Sequence, residues 1–77
     1  MKKLNLYLIS QDINNGYDTY DSAVVAAESE DEARNIVPGE DITRYSWCDP
    51  KDVNVKFVGV AAFGIGSGVI CASFNAG

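Results

Sequence analysis

The sequence predicts a small α+β domain in the order β-β-α-β-β, with one antiparallel or mixed sheet and one short helix. Two observations predict it. Apolar and polar residues alternate in short runs near both ends of the chain, which is typical of strands. Between these runs, a Ser with a Glu three residues later and a following Pro-Gly bound one short helix. At 77 residues the chain is interpreted as a single domain, residues 1–77.

The first strand is expected over residues 3–10, where Leu4, Leu6 and Leu8 alternate with other residues. A loop is expected over residues 11–21, because its Asn-Asn-Gly run favours a turn. This loop is long for a hairpin, and long loops in small domains are often functional.

The second strand is expected over residues 22–28, with Val24 and Val25 at its centre. The small alanines beside them suggest close packing against a helix. The helix follows Ser29, which pairs with Glu32 as a capping box. About eight residues are predicted as helical, because Pro38 cannot continue a helix.

The second half of the chain begins with an irregular connection over residues 40–52, and residues 49–52 read as a turn. Two further strands are predicted, over residues 53–62 and 68–74. Between them lies the glycine-rich run GIGSG, residues 64–68. A phosphate-binding loop would need a helix after the glycines, so we interpret this run as a flexible hairpin connection, with anion binding by its N–H groups as the alternative.

The formal net charge is −5, and ten of the eleven carboxylates lie between Asp12 and Asp49. This balance disfavours direct nucleic-acid binding through a basic face. It favours a solvated acidic surface, with mimicry of nucleic-acid charge as the alternative. The apolar run near Met1 is too short and polar for a signal peptide, and no stretch approaches the ~20 residues that span a bilayer. We therefore expect a cytoplasmic protein without membrane contact.

Catalytic and metal chemistry is not favoured. The chain has no His, so a Ser–His or Cys–His nucleophile is excluded, as is a Cys/His metal signature. Cys71 is expected to pack within its apolar strand. The carboxylate pairs 18/21 and 40/41 fit turn and cap roles better than acid–base roles. We expect no enzyme activity, no cofactor and no metal.

Recognition chemistry is concentrated in residues 14–27, NNGYDTYDSAVVAA, where two Tyr and two Asp surround a Gly turn. Tyr rings in polar sequence suit ligand or partner contact, although structural packing is the alternative for both. Arg residues supply a cation for an anionic group, with pairing to surface carboxylates as their other role. The predicted ligand- or partner-binding residues are Asn15, Tyr17, Asp18, Tyr20, Arg34, Arg44 and Trp47.

The strings YLISQDINNGYDTYDSAVVAAESEDEAR and GVICASFNAG together resemble small uncharacterised proteins encoded by bacteriophages and prophages. The resemblance implies a non-enzymatic counter-defence protein that acts by binding in the host cytoplasm, with sequestration of a nucleotide-derived immune signal as the first hypothesis. An inhibitor that docks on a host defence protein through an acidic face is the second hypothesis. The third is a structural accessory protein that self-assembles.

Self-association is expected on separate grounds. A chain of this length buries only ~60% of the surface that its unfolded state exposes, and apolar residues make up 47% of it. We therefore predict a homo-oligomer, with a nucleotide-like small molecule or a host defence protein as the further partner.

Overall fold

The computed structural model of the protein describes residues 3–13, 19–38 and 47–75. Residues 74 and 75 are described by their backbone alone. Its elements are strand β1 (Asn5–Ser10), strand β2 (Thr19–Ala27), helix α1 (Glu30–Asn35), a 3₁₀ turn (Pro50–Asp52), strand β3 (Asn54–Val60) and strand β4 (Gly68–Asn75). The predicted β-β-α-β-β order is confirmed. Strand β2 begins three residues earlier than predicted, so Tyr20 lies in a strand.

The four strands form one antiparallel sheet in the order β3-β1-β2-β4. Strands β1 and β2 are its centre, and residue 5 of β1 lies opposite residue 27 of β2. Strands β3 and β4 are the two edges. The prediction that the glycine-rich run is a hairpin connection is wrong, because β3 and β4 are not neighbours in the sheet. Residues 61–67 instead cross one end of the sheet, and we call them the β3–β4 crossover.

The glycines allow this crossover to turn back. Gly64 and Gly68 have φ values of +96° and +134°, a region that residues with a Cβ rarely adopt. The N–H of Ile65 donates to the carbonyl of Ala62 at 3.2 Å, which closes a turn.

The core lies between the sheet and α1, which packs against β1, β2 and β3. Tyr7 and Ile9 of β1 and Val25 of β2 point into it, and Trp47 lies there with 1% of its surface exposed. The expected packing of the alanines against the helix holds for Ala23 and Ala27, which share a cluster with Ala33 of α1, and is wrong for Ala26, which lies in the other cluster. A second, smaller cluster on the opposite side joins Leu4, Leu6, Ala26 and Ala61.

Helix α1 begins as the sequence predicts. Ser29 is its N-cap in extended conformation, and the Ser29 Oγ accepts from the N–H of Glu32 at 3.2 Å. The helix has six residues, not about eight, and ends at Asn35. Ile36 is already extended, with φ −78° and ψ 134°. The physical reason is Pro38, which disfavours helical conformation in the residue before it and cannot donate to the carbonyl of Arg34.

Candidate functional site

The end of the sheet that carries the predicted recognition loop is held by Gln11. Its side chain donates from Nε2 to the carbonyl of Tyr20 at 2.8 Å and accepts at Oε1 from the N–H of Ile13 at 2.8 Å. Its own N–H donates to the carbonyl of Asp21 at 3.2 Å. These bonds join the end of β1 to the start of β2, and Gln11 itself is 5% exposed.

Tyr20 is not a loop residue. It is half-buried in β2, opposite Phe74 of β4, and packs against the main core cluster. For Tyr20, this packing supports the structural role, which is the alternative to ligand contact.

Arg34 and Trp47 have structural surroundings as well. The guanidinium of Arg34 donates to the carbonyl of Pro50 at 3.3 Å and to the carbonyl of Val53, which attaches α1 to the start of β3. Trp47 belongs to the same core cluster as Val53 and Tyr20. Tyr20 and Trp47 thus contribute to the packing of one core cluster, and Arg34 hydrogen-bonds to the backbone of Val53, a member of that cluster.

The other predicted site residues lie outside the described residues. These are Asn15, Tyr17, Asp18 and Arg44. Their role in binding stays a prediction.

A cavity lies at the opposite end of the sheet, where β1 begins and β2 ends. The antiparallel pairing of β1 and β2 brings Leu4 close to Glu28 at this end. The N–H of Ala61 donates to the carbonyl of Leu4 at 2.8 Å, which ties the crossover to the same place. Helix α1 starts here and contributes Glu32. The cavity has a volume of about 490 Å³, and its lining is Leu4, Glu28, Glu32 and residues 64–67. We call it the acidic pocket.

The acidic pocket combines three kinds of surface. Glu28 and Glu32 give its lining two acidic residues. Gly64 and Gly66 give it glycine backbone, where an added Cβ would meet no atom within 4 Å. Leu4 and Ile65 supply apolar surface. Such a lining suits an aliphatic chain that ends in a positive group, because the chain can lie on apolar surface while the cation approaches carboxylates.

The sequence indicated only part of this pocket. Residues 64–67 attracted attention through their glycines, whereas Glu28 and Glu32 were interpreted as a strand end and a helix cap. The signal that could have found them is their position, since one directly follows β2 and the other lies in the first turn of α1.

Large apolar side chains are exposed along the second half of the chain. We call them the apolar band, and it comprises Phe57, Val58, Val60, Phe63, Ile65, Val69 and Ile70. Phe63 is 60% exposed and Val60 is 57% exposed. The band coincides with residues 57–77, which contain no charged side chain at all. That charge-free run therefore places exposed apolar side chains on both edge strands, β3 and β4, and on the crossover between them.

The two cysteines differ in their surroundings. Cys71 is exposed on β4, so the expectation that it packs within an apolar strand is wrong. The reason is the register, since Cys71 lies opposite Val24 on the face away from the main core, whereas its neighbour Ala72 lies opposite Ala23 and packs against that core. Burial raises the pKa of the Cys48 thiol, and the nearby carboxylates of Asp52 and Asp49 raise that pKa further.

Within residues 3–13, 19–38 and 47–75, no group of three or more Cys, Asp or Glu side chains is placed to hold a metal ion. Across the same residues, no helix is long and apolar enough to cross a membrane.

The chain matches no family model, no curated protein and no solved structure.

Proposed function

We propose that this protein acts by binding another protein, and that the acidic pocket receives a lysine or arginine side chain of that target. The observation that carries the proposal is the lining of the pocket, which combines the acidic residues Glu28 and Glu32 with the open backbone of Gly64 and Gly66. It is the docking hypothesis of the sequence analysis with a location added.

The electrostatics around the pocket favour a basic target. Glu28, Glu30, Asp31 and Glu32 follow one another within five positions at the start of α1. The only cation within α1 is Arg34, near the C-terminal end of the helix. Its guanidinium donates to the backbone carbonyls of Pro50 and Val53. Acidic surfaces of this kind raise the association rate of a basic partner and select against acidic ones.

The apolar surface beside the pocket adds to the binding energy. Ile65 lines the pocket and is 39% exposed, and Phe63 lies two residues before it. Interfaces typically join a few buried aromatic or aliphatic anchors to a polar rim. A target with a basic side chain next to apolar ones fits this arrangement.

Sequestration of a nucleotide-derived signal receives less support from the described residues. A phosphate in the acidic pocket would lie beside two carboxylates, which repel it. The guanidinium of Arg34, one of the two cations predicted for an anionic ligand, donates to protein carbonyls. The nucleotide hypothesis now depends on Tyr17, Arg44 and their neighbours outside the described residues.

The nature of the target comes from the sequence resemblance alone. We propose a non-enzymatic, phage-type counter-defence protein that works in the host cytoplasm and blocks a host defence protein.

The test is the affinity for a short fluorescent peptide that contains arginine and leucine, measured by anisotropy. Glu28→Gln and Glu32→Gln should each weaken binding several-fold. Each removes one attractive charge, whose interaction with the peptide is of the order of 0.5–1 kcal/mol. Glu30→Gln is the matched control: it changes the net charge equally, in the same helix turn, but does not line the pocket. Equal weakening by all three variants would point to general charge attraction and would contradict a pocket.

A further inference from the structure

We infer that the uncharged edge strand β4 is a self-association surface, which pairs antiparallel with β4 of a second copy of this chain. The result is one continuous eight-stranded sheet across the dimer. The inference names the surface for the predicted homo-oligomer and does not depend on the acidic pocket.

The first argument is the character of the two sheet edges. An exposed strand edge presents unpaired N–H and C=O groups, and proteins usually protect such an edge with lysine, proline or a bulge. Strand β3 carries the exposed Lys56 and a bulge at Val58, and α1 packs against it. Strand β4 reads GVICASFN, without a charge or a proline. Its pairing with β2 has a bulge at Ile70 and a second register shift between Ser73 and Phe74, so the two edges differ in charge and in packing against α1 and not in regularity.

The second argument is charge, and it selects a second copy as the occupant. Each copy carries a formal charge of −5, so two copies repel each other over most orientations. Every charged residue lies at or before Lys56, and strand β4 lies wholly within the charge-free residues 57–77. Two copies can therefore approach along β4 with less repulsion than along the acidic elements. A basic partner would gain nothing from this edge and would be drawn to the acidic pocket.

The third argument is area. Four side chains of the apolar band lie on β4 or on the crossover that leads to it, with exposed fractions of 39–60%. They present roughly 300 Å² together, taking roughly 150–200 Å² for a fully exposed side chain of this size. A stable dimer needs about 800 Å² per partner, a little over half of it apolar. The exposed Cys71 and the eight-residue backbone edge add to this area, but the total stays below that of a standard interface, so the expected dimer is of the weak class.

The geometry of the pair follows from symmetry. Directly opposite residues in an antiparallel pair have side chains on the same face. A two-fold axis perpendicular to the sheet preserves each face, so a residue near the strand centre must lie opposite its own symmetry mate. In Gly68–Asn75 that residue is Cys71 or Ala72. In either register the two Cys71 side chains are direct or diagonal neighbours, at most about 8 Å apart.

This geometry can be tested by cross-linking through the native residue Cys71. The variant Cys48→Ser keeps Cys71 as its only thiol. A short bifunctional thiol reagent should convert this variant to a covalent dimer at low micromolar protein concentration. The cross-linking should be faster than random collision between monomers at that concentration allows. The double variant Cys48→Ser/Cys71→Ser shows the background. Cross-linking no faster than that of an unrelated protein with one exposed Cys would overturn the inference.

A charge placed on the edge is the second arm of the test. Ser73→Lys puts an ammonium on exposed β4 and should weaken the dimer by about tenfold or more in sedimentation equilibrium. Asn54→Lys makes the same charge change at an exposed position of β3 and should leave the dimer constant within about twofold. Circular dichroism verifies that both variants fold. A parent chain that stays monomeric at high micromolar concentration, or a dimer disrupted only by Asn54→Lys, would refute pairing through β4.

Discussion

Replacing Trp47 by Ala should remove a large part of the stability of this domain. The indole is 1% exposed and is among the largest fully buried side chains of the core. Truncation of a buried Phe or Trp to Ala costs about 3–5 kcal/mol, since it loses the transfer energy of the ring and leaves a cavity. A domain of 77 residues has roughly 4–12 kcal/mol of total stability. Trp47→Ala should therefore be marginally folded or unfolded at room temperature.

The assay is urea denaturation followed by far-ultraviolet circular dichroism, because the substitution removes the only Trp fluorophore. Trp47→Phe keeps a ring in the core and should lose about 1–2 kcal/mol, which gives a measurable value if the Ala variant does not fold. Phe63→Ala truncates an aromatic that is 60% exposed and should change stability by less than about 0.5 kcal/mol. A loss below about 1 kcal/mol for Trp47→Ala would refute a core role and favour the ligand contact predicted from the sequence.

Four further predictions concern individual side chains. Ser29→Ala should cost ~1 kcal/mol, because the Ser29 Oγ accepts from a helix N–H; equal denaturation midpoints at unchanged slope would contradict it. Arg34→Lys should lower the unfolding free energy by about 1–2 kcal/mol, since the lysine side chain is one bond shorter than the arginine chain up to Nη1, the atom that donates to both carbonyls; a variant of unchanged stability would argue against this attachment. At mildly alkaline pH, iodoacetamide should alkylate exposed Cys71 faster than Cys48, whose raised pKa leaves less thiolate, and equal rates would oppose this. The folded state should also lose stability as pH rises above the ordinary thiol pKa, because the unfolded Cys48 thiol then ionises more readily than the folded one, and Cys48→Ser should remove that loss.

The local elements could be predicted from the sequence because their signals are local. The capping pattern at Ser29 located the start of α1, and alternation located all four strands to within three residues. The sheet order could not be predicted in this way. Adjacent strands in a chain are often paired, so residues 64–68 between two strands were interpreted as a hairpin. The actual order sends the chain across the sheet end, which depends on long-range contacts such as the bond from Ala61 to Leu4.

The candidate site was harder to predict for the same reason. A polar or aromatic residue looks alike in sequence whether it serves a ligand or the core, and only burial separates the two for Trp47. The acidic pocket joins residues from the start of β1, the end of β2, helix α1 and the crossover. No spacing rule connects positions so far apart in the chain. The charge-free run after Lys56 is visible in the sequence alone, and the exposed apolar side chains of the apolar band lie within it.

The proposal that the acidic pocket takes a basic side chain is tested most directly by two-dimensional ¹⁵N–¹H NMR of the labelled protein. The titrants are a short peptide with arginine and, separately, ADP-ribose. The peptide should shift the amide signals of Gly64, Gly66 and Ser67 in a saturable manner, and ADP-ribose should leave them unchanged. Saturable shifts of those amides with ADP-ribose alone, or peptide shifts confined to the other end of the sheet near Gln11, would contradict the account.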